Sequence, residues 1–162
     1  MENLKLPNTI KYVISDFDGI MTDNTVLIDN NLNMSRRINF KDVMGVFQLK
    51  KNGIETIFVS GEKNSIIDMF KEKFKLVENH QNIRKKIEVL KDIIKRFNLT
   101  EEDYLYIGDD INDKECLEFC KYKFTVPNAV DVIKNIKDIQ ITKTSGGQGA
   151  LREVADCLLN QL

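Results

Sequence analysis

The sequence has no excess of either charge, no cysteine pair, no long apolar run and no repeat, and each absence removes a class of function. With 24 basic against 25 acidic residues the net charge is −1, so the basic surface needed for a nucleic acid or an anionic membrane is missing. The partners to expect are small molecules or further copies of the chain, with no nucleic acid and no membrane. Cys116, Cys120 and Cys157 are odd in number and contain no CxxC pair, which argues against a disulfide framework. They read as buried thiols of a reducing compartment, and so predict a cytoplasmic protein. No stretch approaches the ~18 apolar residues of a membrane span, and Met1–Thr9 lacks the apolar core of a secretion signal.

What is present is an alternation of strands and helices. A length of 162 residues at 42% hydrophobic content predicts one domain over residues 1–162 with a substantial core. Strands are predicted at Ile10–Ile14, Ile54–Val59, Leu76–Val77, Tyr104–Ile107, Phe124–Val126 and Ile139–Thr142. Helices are predicted from Asp42 to about Asn52, over Asn64–Phe74, Gln81–Phe97, Asp113–Cys120 and Val130–Ile136, and at the end over Ala150–Leu159. This pattern predicts an α/β fold, a mainly parallel, doubly wound sheet with helices on both faces. Between Thr25 and Phe40, period-two apolar residues on both sides of Asp29-Asn30-Asn31 predict a β-hairpin inserted after the first strand.

The chemistry sits where strands end. The first strand runs into Asp16-Phe17-Asp18-Gly19-Ile20-Met21-Thr22-Asp23, and the Tyr104–Ile107 strand into Gly108-Asp109-Asp110-Ile111-Asn112-Asp113. Carboxylates crowded at the carboxyl edge of a sheet need a cation or a proton, and that edge is where open α/β sheets bind ligands. The second strand ends in Ser60-Gly61-Glu62. Lys86 falls in the first turns of a predicted helix, where the macrodipole disfavours a cation unless anions hold it. Taken singly, Ser60 is an ordinary turn residue, Lys86 a solvated lysine and Asp109-Asp110 a helix cap. Together they supply what phosphoryl transfer needs: a nucleophile, a carboxyl able to carry a proton, donors for phosphoryl oxygens and ligands for a hard cation.

In these motifs, present in the same order, the chain resembles the haloacid dehalogenase-like phosphatases. The resemblance covers essentially the whole chain. The hairpin after the first motif, the absence of a large cap domain and the stretch Gly146-Gly147-Gln148-Gly149-Ala150-Leu151-Arg152-Glu153 resemble the small capless branch that dephosphorylates 3-deoxy-ulosonic acid phosphates. An arginine often found beside the tail glycines is absent here, where Ser145 and Gln148 stand instead.

The resemblance implies that Asp16 is the nucleophile and Asp18 the acid and base. It implies Mg2+ held by Asp16, Asp109 and the backbone carbonyl of Asp18, phosphate bound by Ser60, Gly61 and Lys86, and supporting roles for Asp110, Asn112 and Asp113. It also implies a homotetramer whose subunits cover each other's sites. Glu62 with Lys73, and Thr22 nearby, are expected to set substrate specificity, and the Glu62–Lys73 pair favours a nine-carbon nononate 9-phosphate over octulosonate 8-phosphate. Two other classes stay open: a silent oligomerisation module like those fused to acylneuraminate cytidylyltransferases, and a phosphoacceptor switch domain.

Overall fold

The computed structural model describes residues 6–160; most of the predicted signal-free segment, Met1–Lys5, lies outside them. Five parallel strands form the central sheet: β1 (Tyr12–Ser15), β4 (Glu55–Phe58), β5 (Tyr104–Ile107), β6 (Tyr122–Thr125) and β7 (Gln140–Ile141), in the order β4-β1-β5-β6-β7. The chain winds outward from β1 to β4 on one side, then returns to lay β5 on the other side of β1. The boundary between β1 and β5 is thus the switch point of the sheet, the place where a crevice opens at the carboxyl ends of the strands. Ser15 pairs with Ile107 there, and the Asp16 N–H donates to the Ile107 carbonyl at 2.9 Å. The two acidic strand ends therefore leave the sheet side by side.

The helices are α1 (Phe40–Lys51), α2 (Ser65–Phe74), α3 (Lys86–Arg96), α4 (Lys114–Phe119), α5 (Asp131–Lys134) and α6 (Ala150–Leu159). Asn39 and Asn64 cap α1 and α2 with their side-chain oxygens, as short polar side chains do for the unpaired N–H groups of a first turn. Beneath the site, Phe17, Phe58 and Phe70 meet edge to face with centroids 5.1–6.1 Å apart, so the loop after β1 rests on a rigid aromatic floor. Helices α1 and α6 cross closely at Gly45, where a Cβ would lie 2.9 Å from the Arg152 Cα. Gly149 leaves α6 without a side-chain cap of its own; the buried Asp42 of α1 supplies it, accepting from the Arg152 N–H at 3.1 Å.

The hairpin is present as β2 (Leu27–Ile28) and β3 (Met34–Ser35), a separate two-stranded antiparallel ribbon. Two expectations fail. Leu76–Val77 is not a strand: Lys75 ends α2 in the left-handed region, and an Asn79 side chain reaches the Phe58 N–H at the edge of β4 where a strand would have paired. The helix expected from Gln81 begins instead at Lys86, because residues 80–83 are stitched to the end of β4. Ser60 N–H donates to His80 O at 2.9 Å and Ile83 N–H to Ser60 O at 3.1 Å, while Asn82 takes a left-handed φ of 57° that a helix cannot accommodate. Ile83 still packs on the core, which is why its spacing imitates a helix.

Candidate active site

The loop after β1 turns sharply at Gly19, whose φ of 93° and missing side chain are both required: a Cβ there would overlap Asp109 at 2.0 Å. Asp16 and Asp109, with Asp113, bring one carboxylate oxygen each within 4.8 Å of one another, all three buried. One cation answers them from inside the protein. Lys86, at the first position of α3, places its ammonium 2.8 Å from Asp16 Oδ1 and 2.8 Å from Asp113 Oδ1. The anions that a lysine at a helix amino end requires are thus these two.

Asp113 is fully engaged. Besides Lys86 it accepts from the Tyr106 hydroxyl at 2.7 Å and from the N–H groups of Asp109 and Asp110 at 3.2 and 3.4 Å. It therefore orients the lysine and the Asp109 loop and has little left for a ligand. The open acceptors are elsewhere: Asp109 Oδ1 is buried without a partner, and Asp16 lines the cleft. Burial, then repulsion from Asp113, pushes the Asp16 carboxyl well above the ordinary carboxylate range, against the pull of Lys86. Burial and the charges of Asp113 and Asp110 push Asp109 up to about 7. Burial opposes the Lys86 ammonium, but Asp113 and Asp16 outweigh it and raise its pKa. The surplus is negative, and an orphaned oxygen at Asp109 beside Asp16 fits a hard divalent cation with oxygen ligands.

Above these groups opens a cleft of about 360 Å³ whose lining includes Asp18, Ser60, Gly61, Glu62, Asp110 and Asn112. The Ser60 hydroxyl oxygen accepts from the Glu62 N–H at 3.2 Å, and its own proton finds no acceptor among the described residues, a donor ready for an anion's oxygen. Asp110 caps the 3-10 turn Ile111–Asp113, accepting from the Ile111 N–H at 2.6 Å. The turn delays the start of α4 until Lys114. A wider hollow of about 740 Å³ beside α4 and α5 is lined by Lys114, Lys123 and Lys137 among others, yet has no buried cluster of converging polar groups; the chemistry belongs to the smaller cleft.

Most sequence-predicted residues meet here, with three differences. The Asp18 carboxyl stands apart from the three-carboxylate cluster and pairs with Arg36 of the hairpin at 3.0 Å. Thr22 is buried and holds the loop rather than lining the cleft: its hydroxyl takes the N–H groups of Gly19 and Asn24 and lies 3.3 Å from Asp18 Oδ1. Lys73 is exposed on α2 with its ammonium over the Phe74 ring at 5.6 Å, outside the cleft that Glu62 lines. The sequence reading missed Arg36, Tyr106, and the cleft residues Asn24 and Arg84. Only Tyr106 carried a signal, since a phenol inside an otherwise apolar strand needs a buried partner. The tail glycines pack on their own motif: Gly147 N–H donates to Ile20 O at 2.9 Å, and a Cβ on Gly146 would lie 1.7 Å from Gly19 O.

A family model described as haloacid dehalogenase-like hydrolase matches residues 21–153. The chain belongs to the haloacid dehalogenase-like hydrolases. It is 31% identical over 155 residues to the 3-deoxy-D-manno-octulosonate 8-phosphate phosphatase of Haemophilus influenzae, covering 96% of this chain and 85% of that one. The Moraxella catarrhalis enzyme of the same name, solved with magnesium, phosphate and the sugar acid KDO, superposes with a TM-score of 0.88 at 25% identity over 95% of this chain and 88% of that one. The cobalt-bound Haemophilus influenzae structure gives 0.86 at 29% identity, over 95% and 90%. This haloacid dehalogenase-like hydrolase is thus an enzyme, with the fold of that small branch and no large cap. No helix among its described residues is long and apolar enough to cross a membrane.

Proposed function

We propose that this hydrolase is a magnesium-dependent phosphatase of a 3-deoxy-2-ulosonic acid phosphate, and that the substrate is 3-deoxy-D-manno-octulosonate 8-phosphate. The observation that carries the chemistry is the meeting of Asp16, the orphaned Asp109 oxygen and the Lys86 ammonium beneath a cleft edged by the free Ser60 hydroxyl donor. The names of the relatives support the octulosonate over the nononate ester.

In this mechanism a carboxylate oxygen of Asp16 attacks phosphorus as the bond to the sugar oxygen breaks, and Asp18 gives that oxygen its proton. Water then attacks the aspartyl-phosphate, Asp18 takes the water's proton, and the bond to Asp16 breaks to release phosphate. Lys86, the Ser60 hydroxyl and the Gly61 N–H bind the phosphoryl oxygens, and Asp113 holds Lys86 and the Asp109 loop in place. Asp110 and Asn112 shape the same edge. A magnesium ion between the Asp16 and Asp109 carboxylates and the Asp18 carbonyl would offset the charge of the phosphoryl oxygens.

The hairpin supports assembly: Leu27 and Leu32 are 73% and 80% exposed, with Ile28 and Met34 and, at the start of α1, Phe40 also open to solvent. An apolar ribbon of this kind needs cover, and we assign it to further copies in a homotetramer. The whole chain acts as one domain, in the cytoplasm, in lipopolysaccharide biosynthesis. A silent module gives no reason for every motif residue to be kept, and a phosphoacceptor switch carries its acidic pair and its acceptor aspartate on different strands, whereas Asp16 and Asp18 follow the same strand, β1.

The test is phosphate release from the octulosonate and nononate phosphates with magnesium and with a chelator. Chelator-sensitive turnover with a higher kcat/KM for the octulosonate ester is expected. A higher value for the nononate ester overturns the substrate, and a stable phospho-form without turnover overturns the reaction. Light scattering that shows a monomer at micromolar concentration overturns the assembly.

A further inference from the structure

Arg36 follows β3 directly and makes the one ion pair that joins the hairpin to the rest of the chain among the described residues. Its Nε lies 3.0 Å from Asp18 Oδ1, with the two side chains 15% and 20% exposed. The other hold on Asp18 is slight. Thr22 Oγ1 is 3.3 Å from the same oxygen and is shared with the N–H groups of Gly19 and Asn24, while Asp18 Oδ2 is buried with no partner. The hairpin does not need the pair for its own shape. Asp29 closes its turn with the N–H groups of Asn31, Leu32 and Asn33, and its return is fixed where Ile38 packs on the core and Asn39 caps α1 and donates to Gly147 O at 3.3 Å.

A carboxyl group that must face first a leaving oxygen and then a water has to be held to a fraction of an ångström. We propose that Arg36 is a positioning residue for Asp18, holding its carboxyl group at the cleft from the hairpin side. The inference rests on the reading of Asp18 as proton donor and acceptor. The contact is coulombic, since the Arg36 Nε–H is not aligned on an acceptor, so the carboxyl group can turn towards the leaving oxygen while staying anchored. The hairpin, none of whose residues lines the cleft, thereby acts on it through Asp18.

The experiment compares Arg36→Met and Arg36→Lys, alone and in an Asp18→Asn background, on the octulosonate 8-phosphate and on 4-nitrophenyl phosphate, whose leaving group departs without a proton. Arg36→Met should lower kcat on the sugar ester by roughly 10- to 100-fold, within the range that general acid catalysis and its alignment contribute, with KM little changed. On the nitrophenyl ester the first turnover, read as the burst of nitrophenolate, should be slowed much less, because only the later attack by water needs Asp18 there; Arg36→Lys should restore most of the rate, and Arg36→Met should cost nothing further once Asp18 is Asn. A rise in KM at constant kcat would show that Arg36 grips the substrate instead. Equal losses in the first turnover of both esters, or a full loss in the Asp18→Asn background, would also overturn the proposal. Turnover of the octulosonate ester by the unaltered enzyme tests the substrate separately, because the Arg36 comparison can be read on any alkyl phosphate the enzyme hydrolyses.

Discussion

Lys86 holds its ammonium 2.8 Å from the carboxylate of Asp16, and both side chains are almost wholly buried. With Asp113 at the same distance on its other side, this lysine joins the start of α3 to the ends of β1 and β5. Lys86→Met leaves three buried carboxylates without an internal cation. Removing one partner of a buried pair costs about 3–5 kcal/mol, so the melting temperature should fall clearly at pH 7.5. The loss should shrink at pH 5, where the carboxyls can take protons instead. Phosphate release should drop at least ~100-fold, as expected when a donor to the phosphoryl oxygens is lost.

Asp16→Asn should abolish turnover, because an amide is a poor nucleophile, while Asp18→Asn should slow both transfer of the leaving-group proton and attack by water. Both variants should fold: Asp16→Asn removes a charge from a crowded acidic site and relieves repulsion, and Asp18→Asn gives up a single partly exposed ion pair. Rapid-quench detection of an acid-stable phospho-form in Asp18→Asn but not in Asp16→Asn would distinguish the two roles. More than ~1% residual activity in Asp16→Asn would rule out a covalent role there.

Asp109 keeps a buried oxygen without a protein partner, and the surplus negative charge around it is what magnesium would balance. Millimolar magnesium should therefore raise the melting temperature of the unaltered protein. Asp109→Asn should melt higher than the unaltered protein when metal is absent, yet gain nothing from magnesium. Differential scanning calorimetry with and without the ion reads both effects.

Asp42 gives a pH dependence unconnected with the cleft. Burial pushes its carboxyl from 3.8 up to about 6, against the pull of the Arg152, Leu151 and Gly149 N–H groups at the head of α6. The folded state therefore holds this proton more tightly than the unfolded chain, and stability falls as pH rises from about 4 to about 6 before levelling off. A shift of about 2 units corresponds to about 3 kcal/mol at 1.36 kcal/mol per unit. Asp42→Asn keeps an oxygen for the Arg152 N–H and never ionises, so it should flatten that slope and raise stability at pH 7. Urea unfolding between pH 4 and 7.5 measures it; an unchanged slope would place the titration elsewhere.

Local pattern was enough for the strand and helix alternation, for β5 and α6 to the residue, and for the strand ends that carry Asp16, Ser60 and Asp109. These features depend on runs of apolar residues and on motifs a few residues long, and neighbours in sequence enforce both. For Lys86 local pattern left two readings, a solvated lysine or one held at a helix start by anions. Which anions they were, Asp16 and Asp113, depended on β1 and β5 lying side by side. The late start of α3 depended on Ser60 capturing the chain at residues 80–83, and the failure of Leu76–Val77 on an Asn79 side chain occupying the edge of β4. Arg36 on Asp18 and Gly146 on the Gly19 backbone left no mark in the local pattern, and the phenol of Tyr106, a sign of some buried partner, did not say that the partner is Asp113. The sequence by itself determined which groups stand at the strand ends. The tertiary structure alone decided which of them touch, because contacts between residues distant in the chain are set by sheet order and close packing rather than by the period of any one segment.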